Sequence, residues 1–339
     1  MRSFFRLILF LLLLAGAVAA VAAWWLNQPL RIHHQTVELE IEPGTTPRGV
    51  ARAVVDAGIG AGIRPDVDRQ LLYYWFRWSG KDRQIRAGNY EIAAGTTPRS
   101  LLQKLVRGEE SLRAITFVEG WTFRQMRAAI AKDAFLKQDT AGMSEAEIMQ
   151  ALGMSGIAAE GRFFPDTYTY AKGSSELAVL RRAARAMNRH LQEAWAQRMP
   201  DTPLKNADDA LILARIVEKE TGRGSDRPEI AGVFINRLRI GMLLQTDPTV
   251  IYGIGEAFDG NLRRVHLRTD TPWNTYTRAG LPPTPIAMPG KASLLAAVQP
   301  ARTKAYYFVA RGDGSSHFSA TLDEHNRAVN RYQRGGNRQ

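Results

Sequence analysis

The chain has 339 residues, 45% of them hydrophobic, with a formal net charge of +12. That length suggests two domains, and the apolar content excludes wholesale disorder. The absence of cysteine excludes disulfides, thiolate zinc sites, iron–sulfur clusters, a cysteine nucleophile and a cysteine-linked lipid anchor. The basic balance favours an anionic partner, whether nucleic acid, acidic membrane or acidic polymer, unless it is simply a basic surface.

In chain order, the first element is an uncharged run. MRSFFRLILFLLLLAGAVAAVAAWWLNQ places Arg2 and Arg6 ahead of Leu7–Leu26. Twenty residues rising 1.5 Å each cover roughly 30 Å, the thickness of a bilayer core. Trp24 and Trp25 stand where an interfacial aromatic belt belongs, and the arginines place the N-terminus in the cytoplasm. AVAAVAA also offers the small-residue cleavage sites of a signal peptide. The run is longer than a usual signal core, so we expect a retained anchor over residues 1–27 and an exported remainder. Export argues against nucleic acid as the partner.

An internal repeat follows. VELEIEPGTTPRGVARAVVDAG (37–58) and NYEIAAGTTPRSLLQKLVRG (89–108) share GTTPR, and AITFVEGWTFRQMRAAIAKD (114–133) is a weaker third copy. Each reads as strand, glycine turn and helix, with Val37, Leu39 and Ile41 alternating as a strand face. Thr46–Pro47 and Thr97–Pro98 are helix starts: threonine accepts from an orphan amide, and proline has none to leave unpaired. Thr122 and Gln125 form a capping box in the third copy. Such β–α units bind extended ligands or act as spacers.

Ser144 and Glu147 box a short helix over 144–153, and EGRFFPDTYTY (160–170) reads as an aromatic loop. A long helix is expected over 176–199, with Leu177, Leu180, Met187, Leu191 and Trp195 on its apolar face and Arg181, Arg185 and Arg189 on another. A helix from Asn206 or Asp208 to near Gly222 carries IVEKETG (216–222). The next starts at Asp226 as cap with Pro228 in its first turn, packs Ile230, Val233, Phe234 and Leu238, and stops at Gly241. QTDPTVIYGIG (245–255) and NTYTRAGLPPTPIAMPG (274–290) read as loops. A helix at 291–298, a hairpin over 305–320 turning at Gly312–Gly314, a last helix capped by Thr321 and Glu324, and a frayed RGGNRQ tail complete the chain.

Among chemistries, the six histidines His33, His34, His190, His266, His317 and His325 form no zinc-type pair, and we expect no metal and no cofactor. The two nearest the anchor, His33 and His34, read as solvated. The chain has no G-x-S-x-G elbow, phosphate loop or dinucleotide fingerprint. Carboxylates remain. Helical residues two apart point roughly 200° apart, so Glu218 and Glu220 cannot both reach one glycosidic bond. Glu218 lies beside Leu211 and Ala214 on the wheel, and Glu220 beside Leu213, Ile216 and Val217. Either is open to desolvation, and ordinary ion pairs with Arg215 or Lys219 are the plain alternative.

IVEKET, VFINRLRIGMLLQTDPTVIYG, NTYTRAGLPPTPIAMPG and FPDTY together closely resemble the endolytic murein transglycosylases of the MltG/YceG-like family. The resemblance implies an α+β fold with a single N-terminal transmembrane helix, a small LysM-like β–α module over 28–115, and a mixed α+β catalytic domain over 116–339. It implies cleavage of peptidoglycan glycan strands with Glu218 as the catalytic acid, and Glu220 supporting it or touching substrate. From motif position and side-chain chemistry, Gln245, Asp247, Asn274 and Tyr276 are expected to line the cleft, although Asp247 before Pro248 also suits a turn. The family often has Glu-Arg where this chain has Asp226–Arg227, with no functional consequence expected. Peptidoglycan synthases are expected partners from the family, and the inner membrane is contacted through residues 7–26. The rivals are a lysozyme-like hydrolase using Asp247 or Glu160 as second carboxylate, a non-catalytic wall-binding scaffold, and an anchored nucleic-acid binder predicting steep salt dependence.

Overall fold

A computed structural model describes residues 2–32 and 34–334, so His33 and residues 335–339 of the tail lie outside the described residues. His34 is exposed. The chain divides into two compact units: Met1–Arg113 with Tyr170–Lys172, and Ala114–Thr169 with Gly173–Gln339.

The first unit begins with α1 (Arg2–Leu26), whose stretch Phe4–Leu26 is long and apolar enough to cross a membrane. β1 (Thr36–Ile41), α2 (Pro47–Asp56), α3 (Pro65–Trp78), β2 (Gly88–Ala93) and α4 (Pro98–Arg107) follow. β1 and β2 pair antiparallel, with Val37 opposite Ile92 and Leu39 opposite Tyr90. The strand alternation buries Leu39, Ile41, Tyr90 and Ile92 against Val50, Val54, Leu101 and Leu105 of the helices. Both threonine caps form: Thr46 Oγ1 accepts from the Gly49 amide at 3.2 Å, and Thr97 Oγ1 from the Ser100 amide at 3.2 Å. Nothing in the hydrophobic pattern signals helix α3. It buries Leu72 and Phe76 but carries Tyr74 and Trp78 exposed on another face, so no single apolar stripe marks it.

The third repeat copy joins a different sheet. β3 (Leu112–Thr116) pairs with β4 (Thr167–Ala171), so the aromatic loop expected over 160–170 ends in a strand. The second unit continues with α5 (Phe123–Ala131), α6 (Glu145–Ala151), α7 (Glu176–Ala196), α8 (Ala207–Glu220) and α9 (Arg227–Arg239). After these come α10 (Asp247–Ile254), α11 (Arg264–Arg268), α12 (Lys291–Val298), the hairpin of β5 (Tyr307–Ala310) and β6 (Ser316–Ser319), and α13 (Leu322–Val329). The capping boxes at Thr122/Gln125, Ser144/Glu147 and Thr321/Glu324 all form.

Two local expectations are corrected. The segment 245–255 is mostly helix α10: proline lacks an amide that would go unpaired in its first turn. Asp226 makes no side-chain cap; its Oδ2 instead accepts from the Ser316 amide at 2.8 Å, tying the start of α9 to the hairpin.

The core of this unit is built around α8, in which every residue from Ala210 to Val217 is buried. α7, α9 and α12 pack on it. The small residues Ser293, Ala296 and Ala297 let α12 approach closely. The arginine stripe of α7 is exposed.

Candidate active site

α8 ends where Thr221 turns extended, and the Thr221 hydroxyl accepts from the Arg223 amide at 3.0 Å. This turn sets Arg227, the first residue of α9, against Glu218. Glu218 Oε1 accepts from Arg227 Nη2 at 2.9 Å; Oε2 accepts from the Gly290 amide at 3.0 Å and from the Ser293 hydroxyl at 2.7 Å. The Glu218 side chain is only 6% exposed. Gly290 caps the N-terminus of α12, so the helix presents its positive end to the carboxylate. Hydrogen bonds to charged groups contribute about 1.5–3 kcal/mol each, so this carboxylate is held firmly.

A second carboxylate, missed in the sequence, joins it. Glu119 Oε2 lies 3.9 Å from the same Arg227 nitrogen. Paired backbone bonds between Gly120 and Met288 and between Met288 and Trp121, both 2.8 Å, bring this turn to Gly290. A Cβ at Gly290 would overlap the Glu119 carboxylate. Partial burial and the neighbouring Glu218 charge raise Glu119 above the usual carboxylate range, opposed by Arg227. Its only sequence signal is an acid in the turn of the third β–α copy.

Glu220 leaves α8 on the other side. It accepts from the Thr246 hydroxyl and lines a cavity of about 500 Å³ with Arg237, Gln245, Asp247, Tyr276 and His325. Burial pushes Glu220 up to about 7, with Asp247 adding to the rise and Thr246 and Arg237 opposing it. Tyr276 Oη donates to Asp247 Oδ1 at 2.5 Å. Gln245 has φ +49°, the only positive value among the described non-glycine residues, and such strain gathers at functional sites.

The structure therefore gathers Glu220, Gln245, Asp247 and Tyr276 into one cavity and gives Glu218 a separate set of partners. Asn274, expected in the cleft lining, is instead fully buried. Its amide donates to the carbonyls of His266, Leu267 and Thr269 at 3.3, 3.1 and 2.7 Å, because a buried amide must find partners inside the loop it closes. Glu160 is also buried. Both its oxygens accept from the Phe123 amide at 3.2 Å, and Arg215 Nη1, in a fully buried side chain, lies 3.9 Å away. Burial lifts Glu160 to about 7 despite Arg215.

These features define a two-unit α+β protein with a buried, multiply bonded glutamate at the end of a core helix, a centre suited to acid–base chemistry. The chain belongs to the YceG-like family, whose sequence model matches residues 39–331. It is 30% identical to a Bacillus subtilis protein named endolytic murein transglycosylase, over 88% of this chain and 85% of the relative. A Streptococcus pneumoniae protein of the same name is 24% identical over 86% of this chain, which spans only 58% of that relative's length. A 2.6 Å crystal structure of a YceG-like protein from Listeria monocytogenes superposes with TM-score 0.55 at 27% identity, covering 86% of this chain and 98% of the other.

Proposed function

We propose that this chain is a membrane-anchored, endolytic peptidoglycan lytic transglycosylase that uses Glu218 as acid and then base. The observation that carries the reading is the buried Glu218 carboxylate, bonded by Arg227, Gly290 and Ser293, in a chain similar to proteins named endolytic murein transglycosylases. Glu218 enters the reaction protonated and gives that proton to the glycosidic oxygen as the bond to C1 of N-acetylmuramic acid breaks, and Arg227, Gly290 and Ser293 hold the anion it leaves. The carboxylate so formed takes the proton of that sugar's C6 hydroxyl, and the C6 oxygen closes onto C1 as a 1,6-anhydro ring. No water is consumed, and the nucleophile is already held close. Arg227 stabilises the carboxylate in the interval. Glu220, Gln245, Asp247 and Tyr276 hold another unit of the strand in the cavity they line.

α1 crosses the inner membrane with the N-terminus in the cytoplasm, and the rest of the chain lies in the periplasm. A β–α–α–β unit closed by an antiparallel pair supports a LysM-like module ahead of the catalytic unit. Cleavage within nascent strands limits their length and places the enzyme beside the peptidoglycan synthases.

Glu119 favours a second reading, a hydrolase with two carboxylates. It stands in place of the Asp247 and Glu160 considered from sequence, because it lies 3.9 Å from the guanidinium that bonds Glu218 directly. Digestion of isolated peptidoglycan by the full chain and by its Glu218→Gln, Glu220→Gln and Glu119→Gln variants, read by mass spectrometry of muropeptides, decides. Anhydro ends with only Glu218→Gln inactive support the proposal. Reducing ends, heavier by one water, with Glu119→Gln also inactive establish the hydrolase. Full activity of Glu218→Gln removes Glu218 as the acid.

A further inference from the structure

Helix α3 has two apolar faces. One, with Leu72 and Phe76, is buried in the core of the first unit. The other carries Leu71, Tyr74, Trp75 and Trp78, at the three- and four-residue spacings of a single stripe. Trp78 is 83% exposed, Ile63 just before the helix 59%, and Tyr74 48%. The Tyr74 and Trp78 rings stack at 5.5 Å, and the Trp75 indole donates to the Pro98 carbonyl at 3.1 Å. Aromatics this exposed, and already ordered against one another, need a covering phase.

That phase is indicated by what lies beside them. The stripe forms one wall of a groove of about 610 Å³, and the other wall is Ala17, Val18, Val21, Ala22, Trp24, Trp25 and Leu26 of α1. Ala17 to Leu26 spans about 13 Å of helix, the depth of a bilayer's interfacial layer and the acyl carbons beneath it. The α3 face is thus continuous with the surface of α1 that meets lipid. Tyrosine and tryptophan prefer that layer, where the ring is apolar and its polar tip is wet. Basic groups rim the face: exposed Arg64 at the start of α3 and Lys81 beyond its end. Of the nearby acids, Asp82 pairs with Arg77, and Asp66 and Asp56 share Arg69.

We propose that the aromatic face of α3 is a second membrane contact, seating Ile63, Leu71, Tyr74 and Trp78 in the outer interfacial layer of the bilayer that α1 crosses. The inference rests on the reading of α1 as a retained anchor. Its consequence is that the first unit lies on the membrane and does not swing freely on its anchor.

The chain has no cysteine, so single labels report without background. The full chain carrying a nitroxide at Tyr74→Cys, Trp78→Cys, Val18→Cys or Arg107→Cys is reconstituted in vesicles with and without phosphatidylglycerol. Accessibility to oxygen and to a water-soluble nickel chelate is then read. We expect positions 74 and 78 to favour oxygen several-fold over position 107, approaching position 18, and more strongly with the anionic lipid. If 18 is lipid-exposed while 74 and 78 behave like 107, the docking is wrong and the anchor stands. If 18 is also water-exposed, the anchor reading falls and the proposal with it. If 78 is shielded but shows dipolar broadening that unlabelled chain dilutes away, a second copy covers the face and the proposal is overturned. Retention of the far-ultraviolet spectrum in each labelled chain keeps misfolding from imitating any outcome.

Discussion

Arg227 Nη2 lies 2.9 Å from Glu218 Oε1, and this pair connects the end of α8 to the start of α9. The Arg227 side chain is 14% exposed and the Glu218 side chain 6%, so water screens the pair little. Removing one partner from such a pair strands a buried charge. Arg227→Ala should lower unfolding free energy by about 3 kcal/mol and abolish turnover. Arg227→Lys keeps the charge but loses the planar fork, and should recover most of the stability and little of the activity. Urea unfolding and muropeptide release, measured on both variants, test this.

Gly290 has an ordinary helix-start backbone, and the space its missing side chain leaves is taken by the Glu119 carboxylate. Its Cβ would meet the Glu119 carboxylate, and its amide is one of the donors to Glu218. Gly290→Ala should displace Glu119 and shift the first turn of α12. The expected loss is about 10–100-fold in kcat with a small change in melting temperature, since ångström-scale misplacement of a reacting group is enough. Equal loss of stability and activity would refer the effect to folding instead.

Glu220 makes stability depend on pH. Its folded value near 7 exceeds the ordinary carboxyl value of 4.5. The unfolded chain therefore loses this proton first as pH rises. The contribution is fully present below pH 4.5 and is lost progressively up to about pH 7. The full shift corresponds to about 3 kcal/mol, and about 2 kcal/mol after allowing for partial exposure to the cavity. Glu220→Gln should flatten the fall in stability between pH 5 and 7, and Thr246→Val should move the window upward, since the lost hydroxyl supports the charged form. Denaturant midpoints across that range read both.

Asn274 and Tyr276 should separate structural from binding roles. Asn274→Ala removes donors to three carbonyls and should cost about 2–3 kcal/mol of stability. At low temperature its folded fraction should keep the KM of the wild type. Tyr276→Phe loses only the bond to Asp247 at the cavity wall and should raise KM several-fold with stability within about 1 kcal/mol of wild type. Steady-state kinetics on soluble glycan fragments, alongside thermal melts, distinguish the two patterns.

Much of the fold is legible along the chain because its signals are local. The threonine caps, the proline-started helices, the glycine-turned hairpin and the apolar run of α1 need only neighbours within a few residues, and each forms where expected. α3 escapes because its two apolar faces blur the period. Residues 245–255 mislead because Pro248 starts a helix as readily as it ends one.

By itself the sequence determined where helices begin, which stretch is apolar enough for a bilayer, and that Glu218 and Glu220 face apart, since the last follows from helical pitch alone. Only the tertiary structure decided what each glutamate meets. Glu218 finds Arg227, Ser293 and the Gly290 amide, and Glu220 finds Thr246 and the cavity. It also brought Glu119, 99 positions before Glu218 in the chain, to the same guanidinium. Such partners are set by how α8, α9, α12 and the turn at Glu119 pack, and no local pattern encodes a contact made across that separation.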